Sequence, residues 1–244
     1  MKTFVPELSI LPEVQRQLWE ELSPTVPLGF TLYGGTAVAL WLGHRDSVDF
    51  DFFSDRQLDK AAIRSAIAAV ANGTEYGTQT DNTLRLETPG GVKLSFFGGL
   101  NMGRVGEPQL TADGVLSVAS LEDLMATKLV VLFKRGEMKD YHDLAAMLAA
   151  GTSLGHGLAA GRAMYGPNFR IDVALRALGS HADGEIGTLP KPMLKALTLA
   201  SQSQPKLPEV EVVRSLSHPQ APQLAEELRS AKKTPRADGG GSAL

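Results

Sequence analysis

Polar and apolar positions alternate strictly through SVDFDFF, residues 47–53, which predicts a strand with Ser47, Asp49 and Asp51 on one face. GFTLY, 29–33, predicts a second strand, ended by Gly34 and Gly35, and TAVALWLG then reads as a helix closed by Gly43. PEVQRQLWEEL, 12–22, has a helical period with proline at its start. DKAAIRSAIAAVAN, 59–72, predicts a helix capped by Ser54 or Asp55, and NTLRLET and VKLSFFGG form a hairpin about Pro89-Gly90-Gly91.

Beyond VLSVAS the period becomes helical. Ser120 suits an N-cap for LEDLMATKLVVLFKR, and MKDYHDLAAMLAA follows, ending at Gly151. Further helical stretches cover 155–165, 168–179, 189–203 and 220–232, while 209–216 fits either a short strand or a helix. The pattern predicts an α+β fold: residues 1–119 with a small mixed sheet flanked by helices, then a mainly helical domain over 120–232. Residues 233–244 have no apolar pattern and read as a disordered tail.

Composition narrows the function classes. The net charge of −3 argues against a whole-chain nucleic-acid footprint, and the absence of cysteine rules out disulfides and thiolate metal sites. The first residues lack the apolar run of a signal peptide, and no stretch approaches membrane-spanning length, so a cytoplasmic location and no membrane partner are expected.

The chemistry concentrates in LYGGTAVALWLGHRDSVDFDFFS, 32–54. Backbone N–H groups at a glycine-bearing helix start make an anion site. Asp49 and Asp51 follow Thr36 after 12 residues, long enough for one helix and a return strand. Two carboxylates on one face repel unless a cation lies between them, and hard oxygen ligands suit Mg²⁺ or Mn²⁺. Such an ion also bridges to substrate phosphates, which makes a nucleoside triphosphate the expected substrate. Arg45 is either a surface cation at a helix end or a phosphate contact, and Ser47 a strand-start hydroxyl beside the site. Lys128, inside the apolar LMATKLVVLF, must snorkel or point into a polar cleft. Asp140 and Asp143 share a helix face, paired with solvent, with Lys134 or Lys139, or with the site; His142 points elsewhere on the wheel. Lys134, Arg135 and Lys139, and in the tail Arg229, Lys232, Lys233 and Arg236, form basic groups that a solvated surface or an RNA backbone would equally explain.

The pattern GG-T-(12)-D-F-D resembles the signature of the DNA polymerase β-like nucleotidyltransferase superfamily, and with K-(11)-D-Y-H-D-L from Lys128 to Leu144 it resembles the AbiEii/AbiGii toxin family. The matching motifs fall within residues 30–150. The resemblance implies a nucleotidyltransferase-fold domain followed by a helical one, and a toxin of a bacterial toxin–antitoxin or phage-defence system with a cognate antitoxin. It implies transfer of a nucleoside monophosphate to RNA, such as the tRNA end, or to protein. Carried over, Gly34, Gly35 and Thr36 with Arg45 and Ser47 would hold the triphosphate. Asp49 and Asp51 would bind the metal, Lys128 would contact phosphate, and Asp140 would be the acid of the second motif, with Asp143 beside it.

One position departs from the superfamily pattern. The strand VKLSFF offers Ser95 where a third carboxylate is usual. Two other classes therefore stay open: a transferase acting on a small molecule such as an antibiotic, and a nucleotide-binding module without turnover.

Overall fold

The computed structural model describes residues 1–132, 135–180 and 189–233. Lys134, Arg236 and the tail beyond Lys233 lie outside them.

A two-residue strand, β1 (Thr3–Phe4), precedes helix α1 (Glu13–Leu18). The helix expected to reach residue 22 tightens after Leu18 into a 3-10 segment, Trp19–Thr25, with Pro24 inside it. Proline has no N–H for the α-helical ladder, so the regular helix stops short. β2 (Thr31–Tyr33) runs directly into α2 (Gly34–Leu42), which takes in both glycines. Gly43 closes α2 at φ 62°, donating its N–H to Ala39 O at 2.8 Å. β3 (Asp49–Phe53) starts two residues later than the alternation suggests and leaves Ser47 in the loop before it.

Asp59, rather than Ser54 or Asp55, caps the next helix, accepting the Ala62 N–H at 2.9 Å. That helix breaks at Ile67 into α3 (Lys60–Ala66) and α4 (Ala68–Ala71). β4 (Thr74–Glu75) leads to the expected hairpin, of β5 (Thr83–Glu87) and β6 (Lys93–Phe97), with Glu87 opposite Lys93. β7 (Gln109–Thr111) and β8 (Ser117–Val118) complete a mixed sheet of order β1-β7-β8-β2-β3-β6-β5-β4.

β3 lies at the sheet's centre, antiparallel to β2 and parallel to β6. Phe50 and Phe52 face the core with Leu84, Leu86, Leu94 and Phe96, all fully buried. Alternation then sends Asp49, Asp51 and Phe53 to the opposite face. Val48, just outside the strand, is exposed.

Ser120 caps α5 (Leu121–Leu132), its Oγ accepting the Asp123 N–H at 3.1 Å. There follow α6 (Met138–Ala149), α7 (Leu154–Tyr165), α8 (Ile171–Gly179), α9 (Lys191–Gln202) and α10 (Ala221–Lys233). Residues 209–216 are neither strand nor helix. They run as a strap with one bridge, Val213 to Arg104, and the strap is pinned by Asp55 Oδ1, which accepts the Leu216 N–H at 2.9 Å. α10 returns to the sheet end of the molecule, where Ala221 and Ala225 pack with Val26 and Leu110. The main apolar cluster runs from Ile10 to Leu197, so residues on both sides of position 119 share one core.

Asp123 carries a testable consequence. It is buried, and its Oδ1 accepts the Val105 and Gly106 N–H groups at 2.9 and 3.2 Å, yet burial still pushes its carboxyl up to about 6. Between the unfolded value near 3.9 and about 6 the folded chain holds more protons, so stability falls as pH rises through that window and is level above it. The shift corresponds to a fall of about 2–3 kcal/mol. Urea melts from pH 4 to 7 should show this limb, and Asp123→Asn should remove it.

Candidate active site

The handover from β2 to α2 sets one wall of a cleft, and β3 sets its floor. Gly34 has φ 76°, and a Cβ there would lie 2.6 Å from Asp51 Oδ2. Only glycine allows both this backbone and the close approach of the carboxylate. Gly34→Ala should cost about 1–2 kcal/mol of stability from the backbone alone and also displace Asp51. Thermal melting together with nucleotide titration reads both effects. A Cβ on Gly35 would collide with the Arg45 guanidinium, so that cation lies against the N-terminal turn of α2. A guanidinium and the positive end of a helix dipole do not attract each other; together they define a place for an anion.

Asp49 and Asp51 line the cleft, half-buried, with Tyr33 and Phe53. Burial raises the Asp51 pKa and Asp49 raises it further, while the Ser95 side chain, Lys128 and Arg85 work against that rise. A dication between the two carboxylates would relieve the same burial and repulsion, so the donor set fits a hard metal ion held by Asp49 and Asp51. Ser95 stands directly beside Asp51 on β6, in the row where a third acid is usual.

The opposite wall comes from the helices. Lys128, Arg135 and Lys139 face the cleft from α5, α6 and the segment between them, and Arg45 closes its edge. Lys128 does not snorkel. Its ammonium, on a side chain 7% exposed, lies 2.9 Å from Asp140 Oδ1 and 2.6 Å from Asp143 Oδ2. Asp143 also receives Arg45 through Nε (2.6 Å) and Nη2 (2.9 Å), and His44 Nε2 lies 2.8 Å from its Oδ1. These partners outweigh burial and hold the Asp143 carboxyl well below the usual carboxylate range. Asp143 is thus the pin that sets both cleft cations, a bidentate guanidinium on one side and an ammonium on the other.

The sequence-derived residues therefore separate into two groups. Gly34, Gly35, Arg45, Ser47, Asp49, Asp51 and Lys128 line the cleft. Asp140 and Thr36 do not: Asp140 is fully buried behind Lys128, with Arg135 Nε 3.4 Å from its other oxygen. The Thr36 hydroxyl donates to Ser47 Oγ (2.7 Å) and contacts the Asp49 carbonyl, tying the helix start to the strand start. Among the tail cations, Arg229 donates to Gly114 O (2.9 Å) and Lys232 pairs with Glu20 (2.7 Å), away from the cleft.

Sequence reasoning alone misses His44; its only signal there is its place between the helix-closing Gly43 and Arg45. Its ring stacks on His142 at 5.3 Å, and the ligand atoms of His44, His142 and Asp143 lie within 4.8 Å of one another. Both Asp143 oxygens are already taken by Arg45, Lys128 and His44, so the group works as an anchor for cations.

No described helix is long and apolar enough to cross a membrane. The chain is 31% identical over 138 residues to an uncharacterized protein of Aquifex aeolicus (strain VF5), an alignment covering 54% of this chain and 66% of that one. The model of the nucleotidyl transferase AbiEii toxin family, of type IV toxin–antitoxin systems, matches residues 23–199, the span that builds both walls of the cleft. The chain belongs to this AbiEii family of nucleotidyl transferase toxins.

Proposed function

We propose that the protein transfers a nucleoside monophosphate from a nucleoside triphosphate to an RNA end, and that this modification makes it a toxin. The observation that carries the reading is the cleft's polarity. Two carboxylates on β3 face the N-terminus of α2 together with Arg45, Lys128, Arg135 and Lys139. A triphosphate satisfies the cationic side, and a Mg²⁺ or Mn²⁺ ion held by Asp49 and Asp51 would neutralise charge on the reacting phosphate.

The chain's own groups supply positioning. The first turn of α2 and Arg45 orient the phosphate tail, and Lys128 lies between that tail and its buried anchors Asp140 and Asp143. The acceptor hydroxyl gives its proton to a carboxylate of the cleft and attacks the α-phosphorus in line; a P–O bond forms as the bond to the bridging oxygen breaks, and pyrophosphate leaves. Because β6 carries Ser95 and not an acid, Asp51 is the carboxylate that this row offers.

Purified protein incubated with total RNA, Mg²⁺ and each α-³²P-labelled nucleoside triphosphate should label RNA with one or more of them. Its induction should arrest bacterial growth unless the cognate antitoxin is co-expressed. Ser95 specifically favours a second reading, nucleotide binding without turnover. Saturable nucleotide binding with no label on RNA, protein or a small molecule would establish that one instead.

A further inference from the structure

The sheet face that carries the carboxylates continues past β3. In register, Lys93, Ser95 and Phe97 of β6 sit beside Asp49, Asp51 and Phe53. Glu87, Arg85 and Thr83 of β5 sit beside those. The other face of these strands is sealed in the core by Leu84, Leu86, Leu94 and Phe96. On the open face Lys93 and Glu87 are exposed, Arg85 and Phe97 are half-buried, and Ser95 is buried.

Cations and rings are paired across this face. The Arg85 guanidinium carbon lies 5.3 Å from the centre of the Phe97 ring. Phe97 meets Phe53 edge-on at 5.4 Å, and Phe53 reaches the cleft wall. At the other corner Lys93 Nζ lies 5.7 Å from the Tyr76 ring.

We infer that this face is the acceptor's path: a single-stranded RNA end crosses β5 and β6 and brings its terminal hydroxyl to the row of Asp51 and Ser95. The inference rests on the transferase reading and locates its second substrate. Aromatic rings and guanidinium planes stack on bases that are not paired in a duplex, and the accompanying charges meet the phosphates between them. Two cation–ring pairs next to the carboxylates offer that repeat in continuity with the cleft. Ser95 contributes by what it lacks, since a third carboxylate there would place a negative charge in the path of the RNA backbone. Glu87, opposite Lys93, sets a like charge against phosphate at the rim.

The test uses the full chain and a fluorescein-labelled single-stranded RNA 12-mer of mixed sequence, with its duplex for comparison. Anisotropy gives RNA affinity, and calorimetry gives Mg²⁺–nucleotide affinity. Phe97→Leu keeps an apolar side chain but removes the stacking face, and Lys93→Ala removes an exposed charge. Each should weaken single-strand binding by about tenfold and leave nucleotide affinity unchanged. The duplex should bind more weakly than the single strand. Normal nucleotide binding with RNA affinity unaltered in both variants overturns the path and leaves the transferase reading standing. So does a wild-type chain that binds nucleotide but prefers the duplex or holds no RNA. Variants that lose RNA in a chain that binds no nucleotide would show an RNA track on this face but remove the transferase reading, and the acceptor's path with it.

Discussion

Asp49→Ala/Asp51→Ala is expected to lower nucleotide transfer at least about a thousandfold and to leave the fold as stable as the wild type, or more so. The two effects have opposite signs because the carboxylates serve the ligand and burden the free chain. Burial and the neighbouring Asp49 raise the Asp51 pKa, so its charge is unfavourable in the folded state. By linkage, a raised carboxyl costs stability as pH climbs past its unfolded value, and removing it removes that cost. A buried acid with a structural partner would behave in the opposite way and destabilise when replaced. Thermal melts should therefore show the wild type gaining stability on addition of Mg²⁺ and nucleotide, as any ligand of the native state provides. The double variant should start at an equal or higher melting temperature and gain nothing that depends on Mg²⁺. A variant that melts much lower than wild type would show that the pair is structural, and loss of transfer would then say nothing about chemistry.

Much of this site is legible in the sequence itself. The alternation of SVDFDFF fixes which side chains share a face, because a one-residue slip would bury Asp49 and Asp51 among phenylalanines. Asp140 and Asp143 share a helix face by their spacing, and both meet Lys128. What the sequence hides depends on contacts distant along the chain. β1 and β8 have two residues each and show no period; they exist because β7 and β2 offer edges to pair with. Asp55 has the residue type and place of a helix cap, but it is used some 160 residues away on Leu216, leaving the cap to Asp59. The Asp140 carboxylate has the residue type of a catalytic acid, yet it supports Lys128 from behind, a distinction that spacing along one helix cannot make. His44 joins the network only because the loop after α2 meets α6.

Asp143→Ala should be the most damaging single substitution in the cleft. Asp143 is fully buried and takes the Lys128 ammonium, the Arg45 guanidinium and the His44 ring. Truncating it leaves a buried lysine with Asp140 alone and a partly buried arginine without a carboxylate, and breaking such a group typically costs about 3–5 kcal/mol. Activity should fall with it, since both cations lose their fixed positions. If the loss comes from stranded charge, it should be non-additive. Arg45→Met on the Asp143→Ala background should restore part of the stability, because the guanidinium left without a carboxylate goes too, while transfer stays absent. Additive losses would mean that Asp143 acts through packing alone. The pH dependence adds a second check. Its partners hold the Asp143 carboxyl well below the usual range, so its contribution is complete above the unfolded value near 4 and disappears as pH falls below it. That limb opposes the one from Asp123, which destabilises as pH rises from about 4 to 6. Wild-type stability should therefore peak in mildly acidic solution, and Asp143→Ala should lose the acid side of the peak while keeping the other, because only the Asp143 side depends on the cations of the cleft.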